Sequence, residues 1–171
     1  TGFRLEGSNA GDLSGVEVSS AGDVNGDGYD DLIIGANRAD PDGRDSAGAS
    51  YLLFGKPGEF NSTIDLDSLD GTTGFRLDGI ISDDRSGNSV SSAGDVNGDG
   101  FGDVIIGASS ADSDELANIG QSYVFFGGNF TGGAETKVGD EFANTLNANQ
   151  GSGAIDILIG AQGNDTLNGD G

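Results

Sequence analysis

The sequence predicts an all-β protein, and three observations carry that expectation. Landmarks recur at a constant offset of 72 residues, apolar residues fall in short runs bounded by glycine, and no useful stretch has a helical period. The repeat is direct. TGFRL at 1–5 returns at 73–77, and AGDVNGDG at 21–28 returns at 93–100. DLIIGA at 31–36 returns as DVIIGA at 103–108, and YLLFG at 51–55 as YVFFG at 123–127. Four landmarks with no net insertion between them define two copies of one supersecondary unit, spanning 1–72 and 73–132. A glycine- and aspartate-rich tail follows at 133–171.

Each copy reads as four short strands. GFRLEG alternates apolar and polar residues, as a half-buried strand does, and VEVSS alternates again before an acidic loop intervenes. DLIIGA and ASYLLFG are continuous runs of branched, leucine and aromatic residues, the composition of strands covered on both faces. Tyr51, Phe54, Tyr123, Phe125 and Phe126 are expected in the core. Arg4 and Arg76 hold one repeat position between apolar neighbours and are expected to face solvent or pair with a nearby carboxylate.

The acidic loop is where chemistry enters. Asp23, Asn25, Asp27 and Asp31 place side-chain oxygens at positions one, three, five and nine, with Gly28 sixth. The second copy repeats this with Asp95, Asn97, Asp99, Asp103 and Gly100. Oxygens at alternate positions of a tightly curling loop converge on one centre. The residue after the glycine, Tyr29 or Phe101, can add its backbone carbonyl. Three carboxylates around one divalent ion leave about one surplus negative charge, which suits calcium; magnesium demands a stricter octahedron and more water. An EF-hand is excluded, because position twelve is Ile34 or Ile106 rather than glutamate and the flanks are β. The alternative is a solvated Asx-Gly turn without an ion.

Composition supports the oxygen chemistry. Against 29 acidic residues stand 7 basic ones, a formal net charge of -22. So acidic a chain does not suit nucleic acid or an anionic membrane surface, both of which require Lys and Arg, and no window is long enough to insert into a membrane. With no cysteine and no histidine, disulfides, thiolate metal sites and the usual proton shuttle are all absent. Hard cations remain. An enzyme without histidine or cysteine would need paired carboxylates in a pocket, and these carboxylates already have a metal explanation, so catalysis is not expected.

The stretch SSAGDVNGDGYDDLIIGA followed by YLLFG, and SSAGDVNGDGFGDVIIGA followed by YVFFG, resembles FG-GAP repeats, the blades of integrin-α-type β-propellers. The resemblance covers residues 1–128 and implies two propeller-type blades, each with a calcium loop between its first two strands. It places the ligands at Asp23, Asn25, Asp27, Tyr29 and Asp31, and at Asp95, Asn97, Asp99, Phe101 and Asp103. GAN at 35–37 and GAS at 107–109 depart from the family's Gly-Ala-Pro, which alters the turn after the strand and not the loop. The variable loops 37–48 and 109–120 are expected to be solvated and to lie opposite the calcium hairpins, where integrin-like proteins engage ligands.

In the tail, GSGAIDILI at 151–159 and GAQGNDTLN at 160–168 resemble the RTX nonapeptide, with GDEFANTLN at 139–147 a weaker unit set off by three extra residues. That resemblance implies stacked, calcium-filled turns with Asp156 and Asp165 as candidate ligands; the alternative is a loosely held linker. The pattern breaks off within a unit, so the chain is read as a piece of a longer protein. The functional expectation is a calcium-binding, non-catalytic repeat module of a secreted or cell-surface protein, serving adhesion through a protein or glycan ligand. The alternative is an accessory, lectin-like part of an extracellular hydrolase. Two blades cover only the face between them, so self-association or further blades of the parent protein are also expected.

Overall fold

The computed structural model describes residues 2–7, 9–113 and 116–130, together with the backbone of four further three-residue strands between 136 and 168. The protein is all-β as expected. Its helical content among the described residues is a single 3-10 turn at Pro41–Gly43 and another at Leu66–Ser68.

The expected strands form in order. In the first copy they are β1 (Arg4–Glu6), β2 (Glu17–Gly22), β3 (Asp31–Ala36) and β4 (Ala49–Leu53). One strand that sequence patterning does not show, β5 (Thr63–Asp65), lies parallel to β1 with Arg4 opposite Thr63. The second copy supplies β6 (Gly74–Asp78), β7 (Ser86–Gly94), β8 (Asp103–Ala108) and β9 (Gln121–Phe125).

Strand order in space departs from strand order in the repeat. The first sheet runs β2-β3-β4-β6, all antiparallel, so the TGFRL strand that opens the second copy completes the first sheet. The second sheet, β7-β8-β9, has three strands among the described residues, not the expected four, and 131–171 carry no third TGFRL segment to supply another. Repeat spacing says that a strand recurs; it does not say which neighbour receives its hydrogen bonds.

The two sheets pack face to face. Ile33, Leu52, Phe54, Phe75 and Leu77 of the first meet Val90, Val104 and Ile106 of the second, with Phe130 closing the cluster. Phe75 anchors it, its ring lying 5.7 Å from Phe54, 5.4 Å from Phe125 and 5.3 Å from Phe130. On its other face the first sheet buries Ile34, Ala36, Ala49 and Tyr51 beneath Leu66, with Leu5 and Leu69 packed alongside. Both faces of β3 are thereby covered, which is why its apolar run is continuous.

Among the described residues the second sheet has no such outer cover, and two core expectations fail there. Tyr51 and Phe54 are 2% and 6% exposed, whereas Tyr123 is 37% and Phe126 53% exposed. The residue types are the same; the covering neighbours, among the described residues, are not. The loop 37–48 is likewise only partly solvated. Asp42 and Asp45 are exposed, but Ala39, Pro41 and Ala47 are buried. Arg85 and Ser86 donate backbone N–H groups to the carbonyls of Ser46 and Ala47 (3.1 and 2.9 Å), zipping this loop to the second copy.

In the tail, β10 (Thr136–Val138) pairs in parallel with β12 (Ile157–Ile159), and β11 (Thr145–Asn147) with β13 (Thr166–Asn168). Successive units thus alternate between two parallel ladders. Asp156 and Asp165 lie outside the described residues.

Candidate metal centre: the paired hairpin loops

The loop of each copy joins two adjacent antiparallel strands, β2 to β3 and β7 to β8. A β-bulge introduces it: pairing slips between Ser20 and Gly22, and again between Ser92 and Gly94, turning Ala21 fully inside. The chain then curls back through Gly28 at φ +89° and Gly100 at φ +94°, left-handed conformations that side chains beyond glycine rarely adopt.

The curl turns the oxygens inward. Asp23 Oδ1 accepts from the Asp27 amide (3.0 Å) and its Oδ2 from the Gly28 amide (2.9 Å). Asn25 Oδ1 also accepts from Asp27 N–H (3.0 Å), and Asp27 Oδ1 accepts from Tyr29 N–H (2.9 Å). In the second copy Asp95 accepts from Asp99 and Gly100 (3.1 and 3.0 Å), Asn97 from Asp99 (3.1 Å) and Asp99 from Phe101 (2.9 Å). Asp23, Asn25 and Asp27, and likewise Asp95, Asn97 and Asp99, are therefore brought into one curl in each copy, with their side-chain oxygens answering the loop's own amides. Among the described residues no group of three or more carboxylates is arranged to hold a metal ion.

Asp31 and Asp103 stand apart. Both are fully buried, while the other loop carboxylates are in or near solvent. Asp31 Oδ2 accepts from Val24 N–H (2.8 Å) and Oδ1 from Gly55 N–H (2.7 Å). Asp103 does the same with Val96 (2.7 Å) and Gly127 (2.9 Å). Each carboxylate staples the start of its loop to the second residue past the third strand of its sheet. A carboxylate oxygen has a second lone pair, so the staple leaves acceptor capacity on both oxygens. Burial pushes the Asp31 carboxyl up, the two amides pull it down and the charges of Asp27 and Asp23 push it up again, leaving it raised to about 6. Negative charge has gathered around a buried acid. A cation would relieve it.

Sequence reading missed the amide partners of these staples. The signal was present: the closing Phe-Gly lies 24 residues after the aspartate in both copies. The glycine is required by close approach as well as by its N–H, since a Cβ on Gly55 would lie 2.5 Å from the Asp30 carbonyl oxygen and one on Gly127 2.3 Å from that of Gly102. The two loops are also joined: Gly102 N–H donates to the Asp23 carbonyl (2.7 Å) and Gly128 N–H to that of Val24 (2.8 Å).

The FG-GAP repeat model matches residues 14–53 and 86–125, from just before β2 to the end of β4 and from β7 to β9. The chain is similar to Integrin alpha-PS2 of Drosophila melanogaster, 37% identical over 130 residues, which is 73% of this chain and 8% of that protein. It is 39% identical over 113 residues to Phosphatidylinositol-glycan-specific phospholipase D of Bos taurus, covering 66% of this chain and 13% of the relative. Integrin alpha-5 of Xenopus laevis is 29% identical over 185 residues, 96% of this chain and 16% of its own length. The chain thus spans a small fraction of each relative.

Proposed function

Since the chain carries two FG-GAP repeats that fold as adjoining propeller-type blades, we propose that it is a calcium-binding, non-catalytic module of a secreted or cell-surface protein, serving adhesion or ligand binding. The observation that carries this reading is the duplicated loop, in which side-chain oxygens at alternate positions are held by the loop's own amides just before a buried aspartate in both copies. Asp23, Asn25, Asp27 and Asp31 would hold one ion with the Tyr29 carbonyl, and Asp95, Asn97, Asp99 and Asp103 another with that of Phe101. The donors are all oxygen, in number and charge suited to calcium. The ion would supply positive charge where the carboxylates now repel one another. The protein's own part is to fix the curl, through the bulge, the left-handed glycine and the aspartate staple.

Extracellular residence follows from the same chemistry, because weak calcium loops fill where calcium approaches millimolar. No helix among the described residues is long and apolar enough to cross a membrane. The ligand surface we assign is the end of the sheets opposite the loops, reached by 37–48 and 109–120. From the first of these loops, Asp42 and Arg44 line an open cleft of about 620 Å³ that runs along β6 with Asp67, Asp70 and Arg76. The alternate parallel pairing of the tail strands supports a stacked-turn reading there, with Asp156 and Asp165 as further ligands. Similarity to a phospholipase D keeps a second reading in view, an accessory blade pair of an extracellular hydrolase.

Thermal unfolding with calcium and with EDTA tests the metal. Chelation should lower the midpoint strongly and added calcium should restore it, since a ligand bound only by the native state stabilises that state. Identical curves in the two conditions would reduce the loops to ordinary turns. Binding on a glycan array, lost when 37–48 is exchanged, would favour the lectin-like variant.

A further inference from the structure

The two sheets differ at one edge. In the first, β6 covers the outer edge of β4, with Tyr51 opposite Arg76, Leu52 opposite Phe75 and Ser50 opposite Leu77. In the second, no strand among the described residues covers the corresponding edge of β9. The chain nevertheless holds a second version of the covering strand, since TGFRLEG at 1–7 differs from TGFRLDG at 73–79 at one position. We propose that β1 of a second copy of this chain adds to the outer edge of β9, antiparallel and in the register that β6 takes on β4. Applying the 72-residue offset sets Arg4 of one copy opposite Tyr123 of the other, Phe3 opposite Val124 and Leu5 opposite Ser122.

Hydrogen-bond direction in β1 fits this role. Successive amides of an extended strand point to opposite edges. Phe54 N–H donates to the Thr73 carbonyl and Gly79 N–H to that of Gly48, so Phe75 and Leu77 are the β6 residues that bond to β4. In β1, Arg4 N–H donates to Ser62, toward β5 (3.0 Å). The amides of Phe3 and Leu5 therefore point to the opposite edge, as those of Phe75 and Leu77 do in β6. The charged pair is repeated too, Arg4 with Glu6 and Arg76 with Asp78.

Packing agrees. Leu5 already rests on the outer face of the first sheet, against the cluster of Ile34 and Tyr51. The opposing surface would be the uncovered face of the second sheet. There Ile105, Val124 and Phe126 are 37%, 44% and 53% exposed, while their counterparts Ile33, Leu52 and Phe54 are 0%, 0% and 6% exposed. The step that relates the first sheet to the second would be repeated from copy to copy, burying face and edge together in a heterologous, head-to-tail contact. The inference rests on the blade reading and not on calcium, because the edge is backbone.

Residues Arg4 and Tyr123 would form a non-hydrogen-bonded antiparallel pair, with Cα atoms about 4.5 Å apart, within reach of a disulfide. The chain has no cysteine, so the full-length double variant R4C/Y123C reports on this contact alone. Oxidation should give covalent dimers and longer species that a reductant reverses, while the out-of-register pair E6C/Y123C should give few. Sedimentation of the unmodified chain should show mass rising with concentration in calcium and in EDTA alike. Val124→Pro removes an outward amide while sparing the β8 ladder; it should abolish association with unchanged circular dichroism. A constant monomer mass, equal cross-linking by both pairs, a cross-link confined within one copy, or association that survives Val124→Pro would each overturn the proposal. Loss of the chelation response with cross-linking intact would instead strike only the calcium reading.

Discussion

Asp31 and Asp27 sit four residues apart in one loop, and the structure gives them different work. Asp27 is exposed, and its carboxylate accepts from Tyr29 N–H within the curl. Asp31 is fully buried and ties Val24 to Gly55. Asp31→Asn should therefore destabilise the protein even in EDTA. Its NH2 group would confront one of two buried amides, at a cost of about 1–3 kcal/mol. Asp27→Ala should leave EDTA stability nearly unchanged while removing one equivalent of calcium. Urea unfolding in EDTA, set beside calorimetric stoichiometry, separates the two; equal destabilisation in EDTA would mean that Asp31 is no staple. The oxygen set was legible at this scale, because a turn writes its ligands at alternate positions. The amides that answer Asp31 and Asp103 were not, because Gly55 and Gly127 arrive from another strand and only the fold brings them near.

At the scale of elements the decisive strand is β6. It belongs to the second copy by sequence and to the first sheet by hydrogen bonds, and its Phe75 contacts aromatic rings from both copies. Truncating that ring, Phe75→Ala, should cost about 3–5 kcal/mol by the usual large-to-small core penalty. Denaturant unfolding would measure it, and a loss under 1 kcal/mol, small beside that penalty, would show that the two sheets do not depend on this contact. The strands of each copy were readable from alternation and from glycine-bounded apolar runs. Their order in space was not, since periodicity carries no information about partners, and β5 at Thr63–Asp65 is too short and too polar to announce itself. The loop 37–48 shows a similar limit: its variability pointed to solvent, yet its inner half is bonded to the second copy. Because it leaves the opposite end of β3 from the acidic loop, Asp42→Ala with Asp45→Ala should not change calcium affinity. Isothermal titration checks this, and a loss matching that of Asp27→Ala would misplace the site.

Across the whole molecule two features meet, a large negative charge and a core cluster shared between the sheets. The described ion pairs use Arg4, Arg44 and Arg76, a small counterweight to 29 acidic residues. Most of that charge is left to be screened by salt or met by bound cations. The cluster between the sheets draws on both, from Ile33 and Leu52 to Val104 and Ile106, and the loops are joined through Gly102 and Asp23. Neither sheet can open that face without exposing the other. The blades should therefore melt together, in one calorimetric transition whose van't Hoff and calorimetric enthalpies agree. Asp27→Ala in the first loop and Asp99→Ala in the second should each shift that transition as a whole in calcium, rather than split it, because a site lost in one blade weakens a native state that both blades share. Two resolved transitions, each sensitive to only one of these substitutions, would show instead that the sheets are stable separately and that their common face contributes little to holding them together.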